Sequence, residues 1–289
     1  MLKRVATAVI GIPVLIFLVY TGGVVLQSAL TVLSIIGLFE FYGTMSDNRS
    51  NEFPTIENKA GFLRIKGTLT VHFIGYIFTV VYYFLLSYMN NTSYFFVLIT
   101  VFITSVLTYM VIFHTKVDII DCIVTLFGFF YVAFPFSFIY LVRMNTRGAF
   151  LVWLVFICAF GSDTFAYLIG KSFGRHKLVG ALSPNKTVEG ALGGVTGASV
   201  LALAYGFVVA RFFKISDINF IFYSMAVGGA GAVFSIFGDL SASAIKRYKK
   251  IKDFGNLFPG HGGVLDRFDS VIFTAPVVYV VLTVLTWAT

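Results

Sequence analysis

The residue types best suited to chemistry gather in the C-terminal part of this 289-residue chain. Asp239, Asp266 and Asp269 accompany a basic run that includes Lys246, Arg247, Lys252 and Arg267. If the helix bearing Asp239 runs on past its apolar stretch, Asp239 and Ser243 share a face at i and i+4, with Lys246 and Arg247 a turn further. Pro259, Gly260, Gly262 and Gly263 then end that helix in a turn, and Asp266 and Asp269 project on one side of the next helical start. Carboxylates facing lysines and arginines suit a divalent cation bound together with a polyphosphate, because magnesium takes hard oxygen ligands and shares the phosphates of its substrate. Asp239, Asp266 and Asp269 are therefore the metal candidates, and Lys246, Arg247, Lys252 and Arg267 the phosphate clamps. Asp253, next to Lys252, joins the catalytic candidates. So does His261, which is flanked by glycine, lies five residues before Asp266 and is placed to contact phosphate or donate a proton. Ser243, Gly262 and Gly263 are assigned to substrate binding.

A second polar region lies upstream. Asp163 stands near the end of an apolar run, where a carboxylate costs about 2.5 to 3.5 kcal/mol on insertion scales and needs a cation partner. The loop from Lys171 to Glu189 is basic and contains Ser183-Pro184-Asn185-Lys186-Thr187-Val188-Glu189. Ser183 before Pro184 reads as a helix N-cap with proline at the first position, and such an end presents free N–H groups to phosphate. Lys186 beside Thr187 is expected on a nucleotide or lipid phosphate. Asp163, Ser183, Asn185, Thr187 and Glu189 complete the expected substrate-binding set.

The elements that must hold these groups are membrane helices. Hydrophobic residues make up 58% of the chain and charged ones 12%, about half the charged share of a soluble domain, and the mean hydropathy is +0.91. Apolar stretches near the length of a bilayer span recur from end to end. Hydropathy places nine of them near residues 5–21, 24–45, 68–89, 93–113, 119–141, 149–170, 190–210, 219–240 and 270–288. The expected fold is all-α, a polytopic integral membrane protein of about nine transmembrane helices. Residues 1–23 are read as the first span rather than a signal peptide, because no small-residue cleavage site follows the apolar run. Cys122 and Cys158 fall inside spans and read as small core residues, not as a disulfide framework or zinc site. Ser46 to Lys66 is expected to be a surface loop or interfacial helix without recognisable chemistry, and Glu40 and Asp121 look scattered.

Gly190, Gly193, Gly194 and Gly197, with Gly228, Gly229 and Gly231, let helices approach closely in lipid. Of the 21 lysines and arginines, all but Arg143, Arg147, Arg211 and Lys214 fall on one side of the nine spans. That asymmetry predicts a cytoplasmic N-terminus, an outer C-terminus and both late polar loops in the cytosol of a cell-membrane protein. It also accounts for the net charge of +8 without a nucleic-acid partner. Residues 1–145, with spans one to five, are expected to be a scaffold or dimer region, and residues 146–289, with spans six to nine, the catalytic region.

The segment from Ser243 to Asp269 resembles the signature of the phosphatidate cytidylyltransferases, or CDP-diacylglycerol synthases. It carries the serine, the Lys246-Arg247 and Lys252-Asp253 pairs, Gly255, Pro259, His261-Gly262-Gly263 and Asp266-Arg267-Phe268-Asp269. The stretch from Asp163 through Ser183-Pro184-Asn185-Lys186-Thr187 is similar to the family's second polar region, although Val188 stands where tryptophan is common. The first 140 or so residues agree only in being hydrophobic helices. The resemblance implies magnesium-dependent attack of the phosphatidate phosphate on the α-phosphorus of CTP, with carboxylates matching Asp239, Asp266 and Asp269 on the metal. It further implies a potassium ion beside the magnesium and a homodimer. A CTP-dependent polyprenol kinase is the enzymatic rival. An ion-coupled transporter is the rival from another class, but it would place carboxylates near mid-bilayer on several early spans.

Overall fold

A bilayer core offers no water to hydrogen-bond the backbone, so a chain this apolar must satisfy its peptide groups within helices. The computed structural model describes residues 2–46, 58–88, 92–180, 182–213, 219–258 and 262–287. Its helices are α1 (Leu2–Thr21), α2 (Gly23–Ser46), α3 (Asn58–Leu86), α4 (Thr92–Ile112), α5 (Ile119–Gly128), α6 (Phe134–Met144), α7 (Gly148–Phe156), α8 (Ser162–Phe173), α9 (Val188–Phe212), α10 (Asn219–Tyr248) and α11 (Leu265–Trp287). Single π-helical turns, Phe129–Ala133 and Ile157–Gly161, join α5 to α6 and α7 to α8 into two continuous rods. Between α8 and α9 lies a ribbon of two antiparallel strands, β1 (Lys177–Val179) and β2 (Ser183–Thr187), in which Lys177 faces Thr187 and Val179 faces Ser183.

Among the described residues, seven stretches are long and apolar enough to cross a membrane: 23–45, 93–112, 119–144, 148–173, 188–212, 219–248 and 265–284. The first and third expected spans contribute shorter apolar helices, Gly11–Thr21 and Val71–Leu86. The protein is an all-α, multi-pass membrane protein.

Local chemistry explains several departures from plain helix. Pro135 has no N–H to return to Tyr131, which fits the π-turn that immediately precedes it. The Tyr83 hydroxyl donates to the Ala133 carbonyl in that turn at 3.0 Å, and the Tyr42 hydroxyl donates to the Thr125 carbonyl at 2.9 Å. Asp121 is not a stray charge: the Asp118 carboxylate accepts from Asp121 N–H at 2.9 Å, Asp121 accepts from Asp118 N–H at 3.1 Å, and together they box the start of α5. Residues 47–57 of the polar stretch lie outside the described residues, and from Asn58 the chain is already helix α3. Cys122 and Cys158 are fully buried thiols.

Small residues set the spacing of α8, α9 and α10. A methyl group on Gly190 would come within 2.8 Å of the Ala166 carbonyl oxygen, and one on Gly194 within 2.9 Å of that of Ser162. On α10, Gly228 meets the Ala198 carbonyl in the same way, at 3.0 Å. These contacts are backbone against backbone, so the helices approach as closely as the sequence allows.

Candidate active site

The site forms where α8, α9, α10 and α11 meet at the end of the bundle that carries the β-ribbon. Asp163 lies in the first turn of α8, Asp239 nine residues before the end of α10, and Asp269 in the second turn of α11. The three carboxylates are near enough to act on one another electrostatically. Close packing brings them together: a methyl group on Gly238 would fall 2.5 Å from the Asp269 carbonyl oxygen, so α10 and α11 touch through their backbones beside the acids. Ser270 donates its hydroxyl to Asp163 at 3.4 Å and its N–H to Asp269 at 2.8 Å, and the Ser243 hydroxyl reaches Asp239 at 3.4 Å. The helix of Asp239 does continue through Ser243 and Lys246, as their shared face requires. It ends at Tyr248, earlier than the Pro259 turn expected, with Lys250 at a φ of +56°.

Two lysines answer the acids. Lys186, on β2, pairs with Asp239. Lys246 donates to Asp266 Oδ1 at 2.9 Å, while Asp266 Oδ2 accepts from Phe254 N–H at 2.8 Å and Gly263 N–H at 3.0 Å. Both oxygens of Asp266 are thus taken up in fixing the turn before α11. Asp163, which the sequence put with substrate binding, lies in electrostatic reach of Asp239 and Asp269.

The ribbon also departs from expectation. Ser183 does not cap a helix: Ser183 to Thr187 is strand, and Pro184 is accommodated because a two-stranded ribbon has only edges. The cap of α9 is Thr187, whose hydroxyl accepts from Gly190 N–H at 3.1 Å. Glu189 faces the ribbon, accepting from Arg175 N–H at 3.0 Å, His176 N–H at 3.2 Å and His176 Nδ1 at 2.6 Å. Its carboxylate shapes the ribbon that presents Lys186. A cavity of about 280 Å³ opens beside it, lined by the polar residues Asp163, Ser183, Asn185, Lys186, Thr187 and Asp239 together with Tyr167, Leu178 and Ile236.

Of the remaining expected residues, Arg247, Lys252, Asp253 and Arg267 are exposed at this end of the bundle. Gly262 adopts a φ of +81°, where a side chain would also press on Asp266, and Gly263 packs against Glu40. His261 lies outside the described residues. Sequence reasoning passed over Ser270, Lys249 and Glu40. Lys249 is buried and donates to the Met45 carbonyl of α2 at 2.9 Å, and Glu40 of α2 reaches the start of α11. The signal for Glu40 was present: a carboxylate within an apolar span is too costly to lack a specific partner.

Residues 2–285 match the model of the cytidylyltransferase family. The chain belongs to that family. Similar relatives include phosphatidate cytidylyltransferases of Staphylococcus aureus (strain COL), 36% identical over 61% of this chain and 65% of the relative, and of Bacillus subtilis (strain 168), 40% identical over 50% of this chain and 52% of the relative. That of Thermotoga maritima is 37% identical over 54% of this chain and 57% of the relative. In each case the matched stretch spans less than two thirds of the relative's own length.

Among the described residues, no three Asp, Glu, His or Cys side chains converge closely enough to hold an ion by themselves. Magnesium is ordinarily held by one or two carboxylates, with waters and substrate phosphates completing its octahedron. Asp239 with Asp163 or Asp269 offers that number of carboxylates, and Lys186 on Asp239 and Lys246 on Asp266 supply positive charge beside them.

Proposed function

We propose that this cytidylyltransferase moves CMP from CTP to phosphatidate, giving CDP-diacylglycerol and pyrophosphate. The observation that carries this reading is the meeting of Asp163, Asp239 and Lys186 at a cavity that Tyr167, Leu178 and Ile236 also line, with Asp269 in electrostatic reach of both acids. A charged headgroup with acyl chains and a nucleotide polyphosphate both suit such a mixed lining.

In this reading a phosphate oxygen of phosphatidate forms a bond to the α-phosphorus of CTP, and the bond from that phosphorus to the bridging oxygen of the β-phosphate breaks. A phosphate monoester is already anionic near neutral pH, so the nucleophile needs no strong base. What remains is to neutralise charge and align two anions in line. Lys186 leaves Asp239 to bind phosphate, and Lys246, held against Asp266, presents a fixed positive charge to the leaving group. Arg247, Lys252 and Arg267 gather the outer phosphates, Asp253 accompanies Lys252, and His261 keeps the phosphate-contact or proton-donor role expected of it from the sequence. Asn185, Thr187 and Ser183 line the cavity, and Glu189 holds the ribbon that carries them. Asp239, with Asp163 or Asp269, would hold magnesium, which when bound supplies charge neutralisation at the phosphates.

The distribution of lysine and arginine supports a cytosolic active site with the N-terminus on the same side. The family resemblance supports a homodimer and a potassium ion as a second cation.

CTP labelled in the α or the γ phosphate tests the reaction. The purified chain in detergent with phosphatidate and magnesium should transfer the α label to lipid and release the γ label in pyrophosphate. Transfer of the γ label to an alcohol acceptor instead would make the protein a lipid kinase.

A further inference from the structure

The first half of the chain supplies one buried carboxylate to the catalytic end. Glu40, near the end of α2 and 7% exposed, accepts from Val264 N–H at 2.9 Å through Oε1 and from Leu265 N–H at 3.0 Å through Oε2. These are the free donors at the start of α11, where a negative charge also meets the positive end of the helix dipole. The preceding N–H, that of Gly263, goes to Asp266. Two carboxylates, one from α2 and one from α11 itself, therefore take three consecutive N–H groups in the turn that aims Asp266 at Lys246. Asp269 follows Leu265 by one helical turn.

The surroundings are shaped to this carboxylate. A methyl group on Gly255 would fall 2.6 Å from Glu40 Oε1, and one on Gly263 would overlap the carboxylate outright. A second tie lies close by, where Lys249 closes the last turn of α2 at Met45. Helix α2 is thus fastened on both sides of the irregular segment that separates α10 from α11.

We infer that Glu40 is a positioning residue of the active site: it fixes the first turn of α11 and so sets Asp266 against Lys246 and Asp269 beside Asp239. It touches no reacting atom. Its effect on turnover rests on the cytidylyl-transfer reading, and its effect on the α11 turn does not.

The full chain in detergent, as Glu40→Gln, Glu40→Ala, Gly263→Ala and the Glu40→Ala/Gly263→Ala pair, tests this. Glutamine has the same shape but turns an amide toward one of the two N–H donors, and a lost hydrogen bond of that kind predicts a fall in kcat on the order of tenfold or more. The KM for CTP should stay within about threefold, since the binding groups are untouched. Hydrogen exchange of the 262–270 amides should quicken by at least tenfold in Glu40→Gln. The double variant should be no less active than Glu40→Ala alone, because removing the carboxylate makes room for the added methyl. A Glu40→Gln protein with kcat within twofold of wild type and unchanged exchange, or strictly multiplicative losses in the pair, overturns the inference. Should Glu40→Ala fail to fold, the isosteric Gln variant decides. A wild-type protein that turns over no CTP would sink the proposed reaction, while the exchange measurement would still judge the role of Glu40.

Discussion

Replacing Asp266 with asparagine keeps the shape of the side chain and removes its charge. In the native protein Oδ1 accepts from Lys246 and Oδ2 from two backbone N–H groups, with the side chain only 2% exposed. Asparagine has one acceptor oxygen and one amide nitrogen, so in either orientation an NH2 group faces a donor. Removing one partner of a buried ion pair costs about 3–5 kcal/mol. Lys246 is 17% exposed and regains some water, so the lower figure, about 3 kcal/mol, is the working value. Expressed wholly in catalytic geometry, that is a loss of about two orders of magnitude in kcat. The assay is pyrophosphate release at saturating CTP, phosphatidate and magnesium, with thermal melting alongside. Extra magnesium should not restore activity, because the Asp266 oxygens serve a lysine and the backbone. Lys246→Met should lose activity to a similar degree, and the double variant should be no worse than the poorer single one. An asparagine variant within threefold of wild type, or a double variant whose loss is the product of the singles, refutes this account of Asp266.

Asp239→Asn should behave differently, raising the magnesium concentration for half-maximal rate by about tenfold or more if it is an ion ligand; an unchanged titration would remove it from that role. Lys186→Ala should raise the KM of a phosphate substrate by about tenfold, from loss of a charge-assisted contact. The same change should lower stability by less than about 1 kcal/mol, since Lys186 and Asp239 are 26% and 29% exposed. Substrate titrations and melting curves separate the two effects. Gly238→Ala presses a methyl group on the Asp269 carbonyl, and overpacking of this kind costs about 1–3 kcal/mol. Lowered melting together with lowered kcat is the expected pattern, and an unchanged kcat would show that the α10 and α11 acids tolerate a wider gap. Lys252→Ala, at an exposed position, should act mainly on substrate affinity, by less than about tenfold.

Membrane class, the order of the spans and the polar character of the last third were legible in the residues themselves. Hydropathy is a sum over neighbours in sequence, and the bilayer reads it directly. The helical face shared by Asp239, Ser243 and Lys246 was equally legible, because it depends only on the pitch of one helix. Ser183 was misread for a related reason. Ser-Pro is a fair local signal for a helix start, but pairing with Lys177 to Val179 turned the segment into strand and moved the cap to Thr187. No local rule contains that pairing. Grouping Asp163, Asp239 and Asp269, committing Asp266 to Lys246, and bringing Glu40 more than 220 residues along the chain to Val264 all required helices packed through glycine. Sequence determines which side chains are too costly to leave unpartnered in lipid. Only the packed bundle decides which partner each one finds, because that choice depends on distances between helices rather than on spacing within one.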